Sequence, residues 1–177
     1  MSPAVGCALV KSRIWYPQLD LYDTSRRFVA LLMAWKGIPP SYERLTIADF
    51  YLANPPLLHE TSMPETVRRE FSILKIIRPK NAFLSFPAPP LLFHKMEPIQ
   101  KRALNVLSAR GLIESEALRV GEIELTNAGK AFAENLKAPL TEGEQLLIEF
   151  LVSHFIRIGA ENTIELRKRT GLRRVFA

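Results

Sequence analysis

The stretch RGLIESEALRVGEIELTNAGKAF, residues 110–132, decides how the chain is read. Gly111 is a helix stop, Ile113-Glu114 opens an apolar–charged alternation, and Glu122 to Leu125 repeats it. Thr126 then stands where a new helix, running to about Leu136, needs its cap. Helix end, strand, loop, strand and helix in 23 residues is the order of a winged-helix wing. The expected fold is mainly α with an α+β element: a winged-helix domain with a small two-stranded wing and additional packed helices.

Upstream, Pro98 is read as the start of a helix whose core face is Ile99, Ala103, Val106 and Leu107. Gln100, Lys101, Arg102, Asn105, Ser108 and Arg110 are left for solvent, in the place of a recognition helix. Before it, residues 79–98 carry Pro79, Pro87, Pro89, Pro90 and Pro98 among Phe83, Leu84, Phe86, Leu91, Leu92 and Phe93. So many prolines predict extended chain rather than helix, and so many apolar side chains predict that it drapes over a hydrophobic surface. Ser62-x-x-Glu65 reads as a capping box for a helix facing inward with Val67, Phe71 and Leu74. Further back, one helix spans Ser41 to Asn54, and another starts at Asp23 or Thr24, buries Phe28, Leu31, Leu32 and Trp35, and ends at Gly37.

Downstream, Thr141-x-x-Glu144 is a second capping box. The helix it opens has one narrow polar stripe, Gln145, Glu149, Ser153 and Arg157, and is apolar nearly everywhere else. The expected organisation is a segment 1–13, a helical region 14–95, a winged-helix core 96–140, and an apolar helix with basic tail over 141–177.

Hydrophobic residues make up 47% of the 177-residue chain, enough for a real core. A lone Cys7 forms no internal disulfide, no leader pattern precedes the short run Ala4–Val10, and no run reaches the roughly 20 residues of a membrane span. The expectation is a cytoplasmic protein without a membrane partner. His59, His94 and His154 stand far apart with no paired ligands, and phosphate-loop, nucleophile-elbow and HExxH motifs are missing. No enzymatic activity, metal, cofactor or small-molecule substrate is expected.

The net charge of +6 permits an acidic partner. Its distribution matters more, because residues 96–140 hold 6 Lys/Arg against 6 Asp/Glu. In the wing, Arg119 stands alone among Glu114, Glu116, Glu122 and Glu124, a poor surface for phosphates. The short helix and tight turn that usually precede a recognition helix are missing as well. Together with the over-apolar last helix, these features favour protein partners. The residues expected to meet them are Phe83, Phe86, Leu91, Leu92, Phe93, Leu147, Phe150, Leu151 and Phe155. The residues available to nucleic acid are Lys101, Arg102, Asn105 and Arg119, with Arg167, Lys168, Arg169, Arg173 and Arg174 of the tail.

The stretches WYPQLDLYDTSRRFVALL, YERLTIADFYLANPPLL and RGLIE-to-LTNAGKAF, followed by an apolar helix and basic tail, resemble the middle component of prokaryotic ABC-three-component systems, some of them Lamassu-like. The resemblance covers most of residues 14–174, and DFYLANP is its most particular part. It implies a non-enzymatic subunit bridging an SMC/Rad50-like ABC ATPase and an effector in defence against phage or plasmid DNA, with DNA as a further component of the complex. The competing expectation is a dimeric winged-helix transcription regulator with Lys101, Arg102, Asn105 and Arg119 on the duplex. A nuclease would need an acidic metal cluster, and the chain has only Asp20, Asp23 and Asp49 as aspartates.

Overall fold

The computed structural model describes residues 16–78, 88–137, 140–160 and 162–172. Among them are eight α-helices: α1 (Leu21–Ala34), α2 (Tyr42–Ala53), α3 (Glu65–Ile73), α4 (Pro89–Ala109), α5 (Ser115–Arg119), α6 (Asn127–Lys137), α7 (Glu142–Phe150) and α8 (Ile164–Thr170). Asp20 caps α1 by accepting from the Asp23 amide at 2.8 Å, and the chain leaves the helix through Gly37, whose φ of +82° favours glycine. Eight consecutive residues of α2, Leu45 to Leu52, are buried, so this helix is covered on every side. Around it α1 is the hub, with α2, α4, α6 and α7 all packed on it. The core runs without a break from Phe28 to Leu172 and crosses the expected boundaries after residues 95 and 140.

One polar cluster sits inside that core. Arg27 of α1 and Asp49 of α2 are 2% and 0% exposed, and the guanidinium Nε donates to Asp49 Oδ1 at 2.6 Å. Arg27 also pairs with Asp23 and donates to Thr24 Oγ1 at 3.0 Å. From α4, the buried Gln100 amide donates to Asp49 Oδ2 at 2.8 Å and to the Thr46 carbonyl at 3.1 Å. Complete burial pushes the Asp49 carboxyl up from its ordinary value, while Arg27 and Gln100 pull it back. Three helices are thereby held in register by groups that bury well only together.

The wing is not formed, and the winged-helix expectation is corrected here. Among the described residues there is no strand ladder, only two isolated antiparallel bridges, Ile113 with Leu125 and Ser41 with Glu122. Residues Ser115–Arg119 coil into α5 where the wing loop was expected. The extended piece Glu122–Leu125 is shared, since Ile123 donates to Pro40 O at 2.9 Å and Glu124 O accepts from Glu114 at 2.9 Å. It therefore cross-links two parts of the chain instead of building a hairpin.

Other expectations also change. Pro89 and Pro90 occupy the first turn of α4, where a missing N–H costs nothing, and the helix continues through Pro98 to Ala109. Pro98 is on the exposed side, so the carbonyl it leaves unpaired faces water. Gln100 is buried rather than solvent-facing. Ser62 does not cap α3; the helix starts after Pro64, and the Ser62 amide donates to Arg169 O at 2.9 Å. Asp20, not Asp23 or Thr24, caps α1, whereas Thr126 and Thr141 do cap α6 and α7; Ser41 caps α2.

At the start of α6, Gly129 lies so close to the preceding turn that a Cβ there would stand 2.3 Å from Leu112 O, which already accepts from Thr126. Alanine normally favours a helix over glycine by about 1 kcal/mol. Here Gly129→Ala is expected to cost about 1–3 kcal/mol through overpacking against a backbone atom, read as a lower urea midpoint. An unchanged or raised midpoint would show that the turn yields.

Candidate partner-docking groove

The first turn of α2 fastens three distant segments together. Ser41 bridges to Glu122. Glu43 accepts from Thr163 Oγ1 at 2.7 Å and pairs with Arg167 of α8. Arg44 donates to three carbonyls, those of Ile156, Gly159 and Asn162, the last at 2.9 Å. Burial pulls the Arg44 guanidinium down from its ordinary value, yet an arginine stays charged in a protein.

The carbonyl of Ile156 is within reach because α7 does not end as an α-helix. It continues as a π turn over Leu151–Phe155, with Ile156 N donating five residues back to Leu151 O at 2.9 Å. The wider turn widens the helix where it meets α2, and Phe155 closes edge-on against Tyr51 with ring centroids 5.1 Å apart. Gly159 then reverses the chain at φ +63°, and a Cβ there would lie 2.8 Å from Glu165 Cβ.

These clamps leave an open groove of about 740 Å³ between the α1–α2 connection, the end of α5 and the turn after α7. Pro39, Pro40, Tyr42 and Trp35 lie within it. Two aliphatic side chains in its walls stand out into solvent, Ile38 at 79% exposed and Val120 at 74%. The groove thus has polar fastenings beneath and bare aliphatics above.

The expected partner residues fall elsewhere. Leu92, Leu147, Phe150, Leu151 and Phe155 are buried in the chain's own core, and Phe93 is half-buried with its ring edge-on to Phe50. The buried side of α7, Leu147, Ile148 and Phe150, lies against α1 and α2 and the π turn lies against α3, all of the same chain, while Leu146 is 53% exposed. Leu91 is exposed, whereas Phe83 and Phe86 lie outside the described residues. Sequence reasoning passed over Ile38 and Val120, since each is a single aliphatic in a turn with no periodicity to mark it.

Of the cations considered for nucleic acid, Arg119 is 3.0 Å from Glu116, and Lys101 is 2.9 Å from Glu97. Arg167 is held by Glu43, and Arg169 by Glu165 and the Ser62 carbonyl. Lys168, Arg102 and Asn105 are exposed, and Arg173 and Arg174 lie outside the described residues. Among the described residues no group of three His, Cys, Asp or Glu is placed to hold a metal ion, and no helix is long and apolar enough to cross a membrane.

A family model described as "ABC-three component (ABC-3C) system Middle Component 5" matches residues 13–175. No curated protein and no solved structure matches the chain.

Proposed function

The chain belongs to the ABC-three component (ABC-3C) system Middle Component 5 family, and from that premise we propose that it is a non-enzymatic cytoplasmic adaptor. In this reading it links an SMC/Rad50-like ABC ATPase to an effector in a bacterial defence complex, and needs no cofactor or small-molecule substrate of its own. The observation that carries the reading is the clamped groove with Ile38 and Val120 exposed at its walls. Large aliphatics held out in water by a rigid frame cost solvation in the free chain, and a partner's apolar segment repays that cost on docking. The transcription-regulator alternative depended on a wing that the fold does not contain.

The test is co-expression of the tagged chain with the reading frames beside its gene. The ATPase and effector subunits are expected to elute with it in one peak on gel filtration. A chain that leaves both behind, and runs instead as a homodimer bound to one specific operator sequence, would overturn the adaptor role.

A further inference from the structure

The solvent face of α4 carries a charge pattern that the groove does not use. The side chains of Lys95, Arg102 and Arg110 are exposed and make neither a salt bridge nor a hydrogen bond to any other described residue. Glu97, the only acidic residue of α4, is turned to Lys101 and His94 instead. On a helix rising about 1.5 Å and turning about 100° per residue, the three free cations fall within an arc of about 80° and span about 22 Å. The helix beneath them is fixed by the buried Gln100–Asp49 contact.

We propose that this face of α4 lies in the major groove of duplex DNA, with Lys95, Arg102 and Arg110 on backbone phosphates and without dependence on sequence. Three arguments select that partner. Inside that arc the apolar Ile99 and Val106 are half-buried, and the exposed residues at its edge are Pro98, Asn105 and Ala109, so no large exposed apolar side chain stands among the cations. A protein interface needs an apolar centre, whereas phosphate contacts need only cations and donors. A duplex also offers negative charge about every 1.7 Å of its axis, so cations about 11 Å apart find phosphates in any register. Finally, an α-helix fits the B-form major groove, about 12 Å wide, but not the deep, narrow one of duplex RNA. The inference is independent of the docking groove, and either can fail alone.

The experiment is fluorescence anisotropy of a labelled 30-bp DNA duplex with the full chain in increasing salt. Three phosphate contacts predict a slope of about −2.7 in log affinity against log salt, so binding weakens about 40-fold between 50 and 200 mM. Lys95→Ala/Arg102→Ala/Arg110→Ala is expected to lose at least tenfold in affinity at 50 mM salt and most of that slope. Arg68→Ala/Arg69→Ala/Lys168→Ala removes the same charge from α3 and α8 and is expected to leave both nearly unchanged. All six side chains are exposed, and matching circular dichroism melts will confirm that both variants fold. Equal losses in the two variants would assign the binding to net charge alone and overturn the proposal. So would equal affinity for duplex RNA, or no DNA binding at 50 mM salt, whether or not an acidic peptide binds in its place.

Discussion

Arg27→Met is expected to lower the stability of the chain by about 3–5 kcal/mol at pH 7, the largest effect of any substitution considered. Methionine keeps the apolar stem but not the guanidinium, so the loss is chiefly that of the buried cation. It leaves the Asp49 carboxyl, 0% exposed, with only the Gln100 amide beside it, and Asp23 without its nearest buried cation. Set against a whole-chain stability of about 5–15 kcal/mol, the change removes a large share. Burial already raises the Asp49 pKa above its unfolded value, and without Arg27 that rise grows. A carboxyl raised in the folded state stabilises below its unfolded pKa, and that contribution is lost as pH rises through the folded pKa. The deficit of Arg27→Met against wild type should therefore shrink between pH 7 and pH 5. Adding Asp49→Asn removes the stranded charge, so the double variant should be more stable at pH 7 than Arg27→Met alone, a coupling visible in urea midpoints. If the single and double variants melt together at both pH values, the buried pair does not act as described.

A clue to that pair was visible in the sequence, yet the pair itself was not. Asp49 interrupts an eight-residue apolar run, and an acid there demands a cation or a proton. Which cation depends on the angle between α1 and α2, and no local pattern encodes that. The same limit explains the wing. The alternation Glu122-Ile123-Glu124-Leu125 correctly places Ile123 and Leu125 inside, at 1% and 3% exposure. Alternation reports which side is buried, however, and not which backbone accepts the hydrogen bonds. Here the acceptors are divided between Pro40 and residues near Ile113, so no ladder forms. For α7, the sequence pattern showed a mostly apolar circumference, and burial by the same chain looks identical at that level to burial by a partner. The prolines misled for a different reason. Pro89 and Pro90 were counted as helix breakers when their place in the first turn makes them helix starters. The capping residues Thr126 and Thr141 were legible because a cap acts on an amide two or three residues away. The groove depends on contacts such as Arg44 with Ile156, 112 residues apart, and was out of reach of such reasoning.

Ile38→Asp combined with Val120→Asp is expected to abolish partner binding while leaving the free chain as stable as wild type. Both side chains are more than 70% exposed, so neither contributes core packing, and surface changes of this kind shift stability by no more than about 0.5 kcal/mol. In a complex, each aliphatic would be desolvated against the partner, and an anchoring side chain of that sort is worth about 2 kcal/mol, or about 30-fold in affinity. An aspartate at the same place adds the cost of burying an unpaired charge, so about a thousandfold loss for the pair is a lower bound if the two act independently. The contrast with Arg27→Met is what makes the measurement informative. That variant weakens the fold everywhere, whereas the groove variant should elute as a folded monomer with an unchanged urea midpoint and fail to enter the complex. Titration against the purified ATPase and effector subunits in turn assigns the groove to one of them, the one whose binding is lost. If both subunits still bind with wild-type affinity, Ile38 and Val120 are ordinary exposed aliphatics, and the docking surface lies on another face of the molecule.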